Sequence, residues 1–364
     1  MRASAGILLF LGFLTAQSSG AEPVDLDDIE LPPGFKIEIY ANVPNARSLA
    51  LADHDVVFVS NRRKSSVYAV VPAGEANPQV LEIATGLKTP NGIAFFNGDL
   101  YIAEVGRILR LNDVESQLNI RPVPEVLDIE LPGETHHGWR YIGIGPDYKL
   151  YVAIGAPCNI CDRGAEGFAQ IIRMNLDGSG REIYAEGIRN SVGFTWHPDT
   201  GELWFTDNGR DMMGDDIPPD ELNRAPAKGL HFGYPYCHAG DIPDPEFGEG
   251  KECDDFTAPA QKLGPHVAAL GVKFYTGEMF PPEYHGQIFV AEHGSWNRSK
   301  KIGYRISLVR LENGAPVSYE VFAEGWMRKE KVSGRPVDLL VLADGSMLVS
   351  DDYGGKIYRI SYEK

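Results

Sequence analysis

The sequence predicts an all-β fold, a six-bladed β-propeller, and three observations point to it. First, one unit recurs six times: an apolar strand, a turn, a short strand and a polar exit. The exits are Val57-Phe58-Val59-Ser60-Asn61, Leu100-Tyr101-Ile102-Ala103-Glu104, Leu150-Tyr151-Val152-Ala153-Ile154-Gly155, Leu203-Trp204-Phe205-Thr206-Asp207, Ile288-Phe289-Val290-Ala291-Glu292 and Met347-Leu348-Val349-Ser350-Asp351. Second, most copies are about 45 to 60 residues apart, the range of propeller blades. Third, a further apolar run follows closely after four of them: Ser66 to Val70, Ile108 to Leu111, Tyr304 to Leu308 and Lys356 to Ile360. Six four-stranded blades around an axis bring six polar exits to one face.

The bulk numbers agree. The 364 residues are 43% hydrophobic, with 40 Gly and 25 Pro, which suits a large core and a turn-rich all-β chain. A net charge of −17 argues against nucleic-acid binding, which needs a basic footprint. Met1-Arg2, the apolar run Ile7 to Leu14 and the small residues Ser19-Gly20-Ala21 read as a cleavable signal peptide over 1–21. No later stretch has membrane-spanning length. The expected organisation is therefore a secreted or periplasmic protein without membrane insertion. Residues 22–364 form one propeller with a long insertion at about 211–264.

In chain order, residues 22–34 are an acidic, Pro-rich lead-in. Gly34 to Ala41 alternates and is the strand expected to close the ring with the last blade, protecting open sheet edges. Arg47 stands just before the first strand of blade one. Blade two runs from Pro90-Asn91-Gly92 to Glu104, and residues 112–135 supply its outer part. Blade three opens at Thr135-His136-His137-Gly138-Trp139-Arg140, where a His titrating near neutrality is suited to act as a base. Neighbours at a strand entrance are expected to face opposite ways.

Blade four is the clearest hairpin. A strand ends at Trp196, His197-Pro198-Asp199-Thr200-Gly201 makes the turn, and the return strand runs from Glu202 to Thr206. Its two ends gather Arg189, Asn190, Asp207 and Asn208 at one rim. The stretch 211–264 that follows carries Asp215-Asp216 and Asp220-Glu221. An acidic cluster beside Asn208-Gly209 suggests a hard, oxygen-ligated cation such as Ca²⁺, although it lacks EF-hand spacing. Blade five leaves through His293-Gly294-Ser295-Trp296-Asn297-Arg298, aromatic and cationic groups able to stack on a planar ligand. Arg335 precedes the first strand of blade six.

Four cysteines fit an oxidising compartment. Cys237 and Cys253 flank a loop that a disulfide would stabilise by about 3 kcal/mol. Cys158-Asn159-Ile160-Cys161 lacks the βαβ context of a redox motif and the His of haem attachment, so a second local disulfide is the expected state.

With these residues in place, the chain resembles the quinoprotein glucose/sorbosone dehydrogenase family, soluble six-bladed propellers that bind pyrroloquinoline quinone (PQQ). The likeness runs from about Gly34 to Ser361 and is carried by three groups of motifs. These are His136-His137-Gly138-Trp139-Arg140 with Gly145-Pro146-Asp147; Gly187-Ile188-Arg189-Asn190; and Asp207-Asn208-Gly209 with Asp220-Glu221-Leu222-Asn223 and Gly233-Tyr234-Pro235. The L-sorbosone and aldose sugar dehydrogenases are the most similar members.

The resemblance implies a His general base. Counting back from Gly145 places it at His137, and anchoring on Arg140 places it at His136; His137 is preferred. It implies that Arg189 contacts the quinone oxygens, with Asn190, Asn208, His293, Arg298 and Arg335 around the cofactor. Calcium would lie on the backbone carbonyls of Gly209 and Arg210, near Asp220 and Glu221. Arg210 departs from the family's usual Pro, Val337 stands where the family has a second arginine, and the family's PQQ-binding lysine is unmatched.

The implied reaction is oxidation of a sugar at its C1 hydroxyl or aldehyde, by base-assisted hydride transfer to PQQ with Ca²⁺ as Lewis acid and an external electron acceptor. A monomer or homodimer is expected. Two other readings remain open: a calcium-dependent lactonase-type hydrolase using Glu104, Asn190, Asp207 and Asp351, and a non-catalytic extracellular binding propeller.

Overall fold

The structure, a computed structural model, describes residues 24–74 and 76–363, so the signal-peptide reading of 1–21 lies outside the described residues. Six antiparallel sheets of four main strands surround an axis. Blade one is Ala46–Leu51, Val57–Asn61, Val67–Ala73 and Ala76–Ala84. Blade two is Gly92–Phe96, Asp99–Ala103, Arg107–Leu111 and Glu125–Glu130. Blade three is Tyr141–Ile144, Leu150–Ile154, Gln170–Met174 and Glu182–Glu186, with Leu230–His231 added in parallel at its edge.

Blade four is Phe194–Trp196, Leu203–Asp207, Pro219–Ala225 and Gln261–Pro265. Blade five is Ala269–Phe274, Ile288–Glu292, Arg305–Glu312 and Ala315–Glu324. Blade six is Pro336–Val341, Met347–Asp351 and Lys356–Tyr362, completed by the N-terminal strand Phe35–Asn42.

That last pairing closes the ring as the sequence predicts. Phe35 lies opposite Tyr362 and Ile37 opposite Ile360 in an antiparallel ladder. Phe35 is further anchored by edge-on contacts with Phe280, Tyr284, Phe322 and Tyr362, at centroid distances of 4.7 to 5.2 Å. The apolar core lies between successive blades, where faces of alternating side chains interlock.

Within 211–264 the structure differs from a single insertion. Of blade four's own strands, Pro219–Ala225 lies inside that stretch and Gln261–Pro265 lies across its end. The first is hard to read as a strand because its buried positions include Asp220, Glu221 and Asn223 instead of apolar residues. The segment between these strands is stapled by Cys237–Cys253, and the second disulfide, Cys158–Cys161, is also formed.

At the axis the innermost strands approach closely. A Cβ on Gly193 would lie 2.1 Å from the Leu270 carbonyl oxygen of the next blade, so no side chain fits there. The innermost strands of blades one, five and six carry register shifts near their entrances, between Ala46 and Leu49, Ala269 and Val272, and Pro336 and Leu339. Such bulges re-aim side chains. In blade one the shift spans Arg47, whose side chain faces the central cavity.

Candidate active site

A cavity of about 390 Å³ opens at the end of the axis where the second strands exit. Its wall is built from strand entrances and exits. Blade one gives Asn45, Arg47, Arg62 and Arg63; blade three gives His136, His137 and Trp139; blade four gives Arg189, Asn190, Asn208, Gly209, Asp211 and Asp220. Blade five adds His266, His293, Trp296 and Asn297, and blade six adds Arg335, Asp352 and Tyr353.

The exit residues hold these loops in shape. Asp207 accepts from the backbone N–H groups of Arg189 (2.8 Å) and Asn190 (2.6 Å), fixing the entrance of its own blade. Asp351 accepts from the N–H groups of Arg335, Tyr353 and Gly354. Glu104 accepts from Lys88 N–H (2.5 Å) and pairs with Arg107. Glu104, Asp207 and Asp351 do not line the cavity, so of the four groups suggested for a lactonase-type site only Asn190 faces it.

Nine of the residues named from sequence line this cavity together: His136, His137, Arg189, Asn190, Asn208, Gly209, Asp220, His293 and Arg335. His136 and His137 both face it, against the expectation of opposite faces. They precede the strand, and His137 sits in a left-handed turn (φ +48°), where strand alternation does not apply. Their rings meet edge-on at 4.2 Å.

Three of the residues that the resemblance assigns to the cofactor or the metal are placed elsewhere. Arg298 donates to the backbone carbonyls of Asp215 and Lys300 and does not line the cavity. The Arg210 side chain turns away and pairs with Asp244 and Glu246 of the stapled segment. Glu221 points to the other side of its strand from Asp220, as alternation requires, and accepts from Ala239 N–H and the Asn223 amide.

The electrostatics favour an anion. Five arginines (47, 62, 63, 189 and 335) face three aspartates (211, 220 and 352), in a chain whose net charge is −17. Arg47 pairs with Asp352 at 3.0 Å, and Arg189 with Asp211 at 3.0 Å. Arg335 donates to the carbonyls of His293 and Gly294, not to a carboxylate. Arg62 stacks over Trp139 at 4.5 Å and, among the described residues, has no side-chain hydrogen bond or ion pair. Burial, then the charge of Arg47, pulls its guanidinium down to about 10.

His137 is buried, and its Nδ1 lies 2.8 Å from the Ala156 carbonyl oxygen. Burial foremost, then the charges of Arg189 and His136, hold its pKa well below 6.5. His293 Nε2 lies 2.8 Å from Asp352 Oδ1; burial outweighs that carboxylate and takes the imidazole to about 4.

For a divalent cation the donors are oxygens. The carbonyls of Gly209 and Arg210 accept no hydrogen bond among the described residues. Asp220 is buried on the cavity wall and accepts from Gly209 N–H (2.9 Å) and Ala269 N–H (3.2 Å). Burial raises its carboxyl to about 7, a cost that a nearby cation would offset. This set fits a hard cation held mainly by carbonyls, and excludes Glu221 from it. Among the described residues no cluster of three or more His, Cys, Asp or Glu side chains is arranged for a metal.

The sequence reading missed Arg62, Arg63 and Asp352 as cavity residues. Arg62 and Asp352 follow an exit residue directly, as Asn208 follows Asp207, with Arg63 one position further, and that placement was the available signal. Asn45 Oδ1 accepts from the N–H groups of Arg62 (3.1 Å) and Arg63 (2.7 Å), presenting both at the tip of their turn.

The TrAA12-like family model matches residues 169–363. The chain belongs to the TrAA12-like family. An uncharacterised protein of Borreliella burgdorferi is 35% identical over 353 residues, covering 92% of this chain and 91% of its own length. Among solved structures, a Trichoderma reesei carbohydrate-active enzyme of family AA12 superposes with a TM-score of 0.81 at 20% identity, covering 92% of this chain and 98% of that one. The holo form of the pyranose dehydrogenase PQQ domain from Coprinopsis cinerea gives 0.78 at 18% identity, covering 92% and 97%. The PQQ-bound aldose sugar dehydrogenase of Streptomyces coelicolor gives 0.65 at 18% identity, covering 92% and 100%. At these identities the solved structures share the fold, and the TrAA12-like chain is a propeller like theirs. Among its described residues no helix is long and apolar enough to cross a membrane.

Proposed function

We propose that this TrAA12-like propeller is a PQQ- and Ca²⁺-dependent oxidoreductase acting on the C1 hydroxyl or aldehyde of a sugar, in the periplasm or outside the cell. The observation that carries the reading is the cationic cavity: five arginines at the axial mouth of an acidic protein, around a space of about 390 Å³. PQQ is a planar tricarboxylate, and bound there it would supply the hydride-accepting quinone. The names of the Coprinopsis and Streptomyces proteins, which carry PQQ on the same fold, add weight. So do the two disulfides, which suit an oxidising compartment.

The chain's own groups take distinct roles. Arg62, Arg63 and Arg335 have no carboxylate partner among the described residues and meet the ligand's carboxylates, with guanidinium geometry suited to paired contacts. Arg189 faces the site where negative charge develops and stabilises it. His137 takes the substrate's hydroxyl proton at Nε2. The Nδ1 atom donates to Ala156, which holds the ring in the tautomer that leaves Nε2 able to accept. Gly209, Arg210 and Asp220 would hold Ca²⁺, acting as a Lewis acid on the oxygen it touches. An external acceptor then removes the electrons.

The test combines apo protein, PQQ and Ca²⁺ with an artificial electron acceptor and a panel of aldoses and sugar aldehydes. Quinone absorbance changes and dye reduction with at least one sugar are expected. Absence of both, with every sugar, overturns the proposal.

A further inference from the structure

Cys158-Asn159-Ile160-Cys161 contributes no side chain to the cavity wall, yet it makes half of the side-chain hydrogen bonds of an arginine that does. Arg189 Nε donates to the Asn159 backbone carbonyl at 2.8 Å, and Nη2 donates to Asn159 Oδ1 at 2.8 Å. Asn159 thus presents two oxygens, in register, to one edge of the guanidinium. The other bonds run from Nη1 to the Asn208 carbonyl (3.1 Å) and from Nη2 to Asp211 Oδ2 (3.0 Å). Since a guanidinium has five N–H donors, these four bonds leave one Nη1 hydrogen for a ligand.

The same Asn159 side chain fixes the residue on the far side of the arginine. Its Oδ1 accepts from Asp211 N–H at 2.9 Å, and its Nδ2 donates to the Asp211 carbonyl at 3.0 Å. One amide therefore sets both members of the Arg189–Asp211 pair. The turn carrying it is short and closed: the disulfide joins its ends, and Cys161 N–H donates to the buried Tyr234 hydroxyl at 3.0 Å. Cys158 and Ile160 pack on the small apolar cluster of Ala156, Ala169 and Tyr234.

We infer that Asn159 is the positioning residue for Arg189, and that the Cys158–Cys161 bridge keeps it preorganised, so that the cavity's affinity for an anionic ligand depends on this disulfide. A long cationic side chain pointed into a cavity loses rotamer freedom when it grips a ligand; here the turn imposes that order before the ligand arrives. The inference rests on the proposed function only in naming PQQ as the ligand, and its first readout is independent of any ligand.

That readout is the rate at which an arginine-specific dicarbonyl, phenylglyoxal, modifies Arg189, mapped by peptide mass spectrometry with the exposed Arg63 as internal reference. Wild type, Asn159→Ala, Asn159→Asp and the double variant Cys158→Ser/Cys161→Ser are compared, with thermal unfolding to confirm the fold. Arg189 is expected to react slowly in wild type and in Asn159→Asp, which keeps the Oδ1 acceptor. It should react at least about fivefold faster in Asn159→Ala and in the double variant, because a bond to a charged donor is lost.

The second readout is PQQ affinity in the presence of Ca²⁺, expected to weaken about tenfold in the same two proteins and to be retained in Asn159→Asp. Wild-type reactivity of Arg189 in folded Asn159→Ala overturns the inference, and should the double variant fail to fold, this single variant decides. Protection that changes as expected while wild type binds no PQQ supports the positioning role and overturns the choice of ligand.

Discussion

His137 donates from Nδ1 to the carbonyl oxygen of Ala156 across 2.8 Å. A carbonyl only accepts, so the partner fixes which ring nitrogen carries the proton, and Nε2 is left with its lone pair. Burial adds the second requirement of a base, because it keeps the ring neutral.

Replacing His137 with Ala is therefore expected to lower kcat by ~10²-fold or more while leaving PQQ binding nearly intact. His136 is exposed, and its removal is expected to matter much less, although it faces the same cavity. The pH profile adds a check. Since the His137 pKa is held below 6.5, the rate should stay level across neutrality and fall only as acid protonates the ring. The unfolded chain takes up this proton at the ordinary value, so the stability held by neutral His137 is full above 6.5 and is lost as pH falls below it. A profile that breaks above pH 7 from this group would contradict the assignment.

Arg62 separates binding from folding. Its guanidinium stacks on Trp139 and has neither a hydrogen-bond nor an ion-pair partner among the described residues, while Arg47 opposes its charge. Arg62→Met should leave the unfolding temperature unchanged or raised and weaken PQQ binding about tenfold or more. Calorimetric titration and thermal unfolding of one preparation measure both, and a large loss of stability would show that the arginine serves the fold.

The Cys237–Cys253 bridge closes a loop of 16-residue separation in the segment that engages Arg210. Replacing both cysteines with Ser should cost about 3 kcal/mol in denaturant unfolding, the chain-entropy value for a loop of this size. A change below about 0.5 kcal/mol would mean that the unfolded segment is already restricted.

Phe35 locks the ring. It sits among four aromatic rings on the strand that pairs the chain's two ends. Phe35→Ala is expected to destabilise the protein by about 3 to 5 kcal/mol, as for other buried aromatic truncations. Urea denaturation checks this, with a shift under about 1 kcal/mol as the contrary result.

The blades were legible where apolar alternation is strong. The hairpin of blade four forms with Phe194 opposite Phe205 and Trp196 opposite Leu203, as its turn residues predict. Legibility failed where buried strand positions carry polar groups. Asp220 and Glu221 are buried on Pro219–Ala225 because backbone N–H groups and the Asn223 amide satisfy them, and composition alone makes that strand resemble a solvated loop.

In the site, residues at strand entrances, such as Arg189 and Arg335, were readable from position. Sequence does not reveal which exit residues are consumed by backbone N–H groups. Asp207 and Asp351 therefore looked like chemistry and serve as loop ties, while the less conspicuous Arg62 and Asp352 face the cavity.

The pairing of Phe35–Asn42 with Lys356–Tyr362 also sets an order of events during synthesis. Chains leave the ribosome N-terminus first, so the strand that finishes blade six is made before blades one to five and waits for partners made after them. Until residues near 362 emerge, the nascent protein is an open arc with two unpaired edges, the state in which foreign strands can add. A chain halted before Lys356–Tyr362 is made would carry the earlier blades without a closed ring, so the two paired strands, far apart in sequence, decide when the edges are covered.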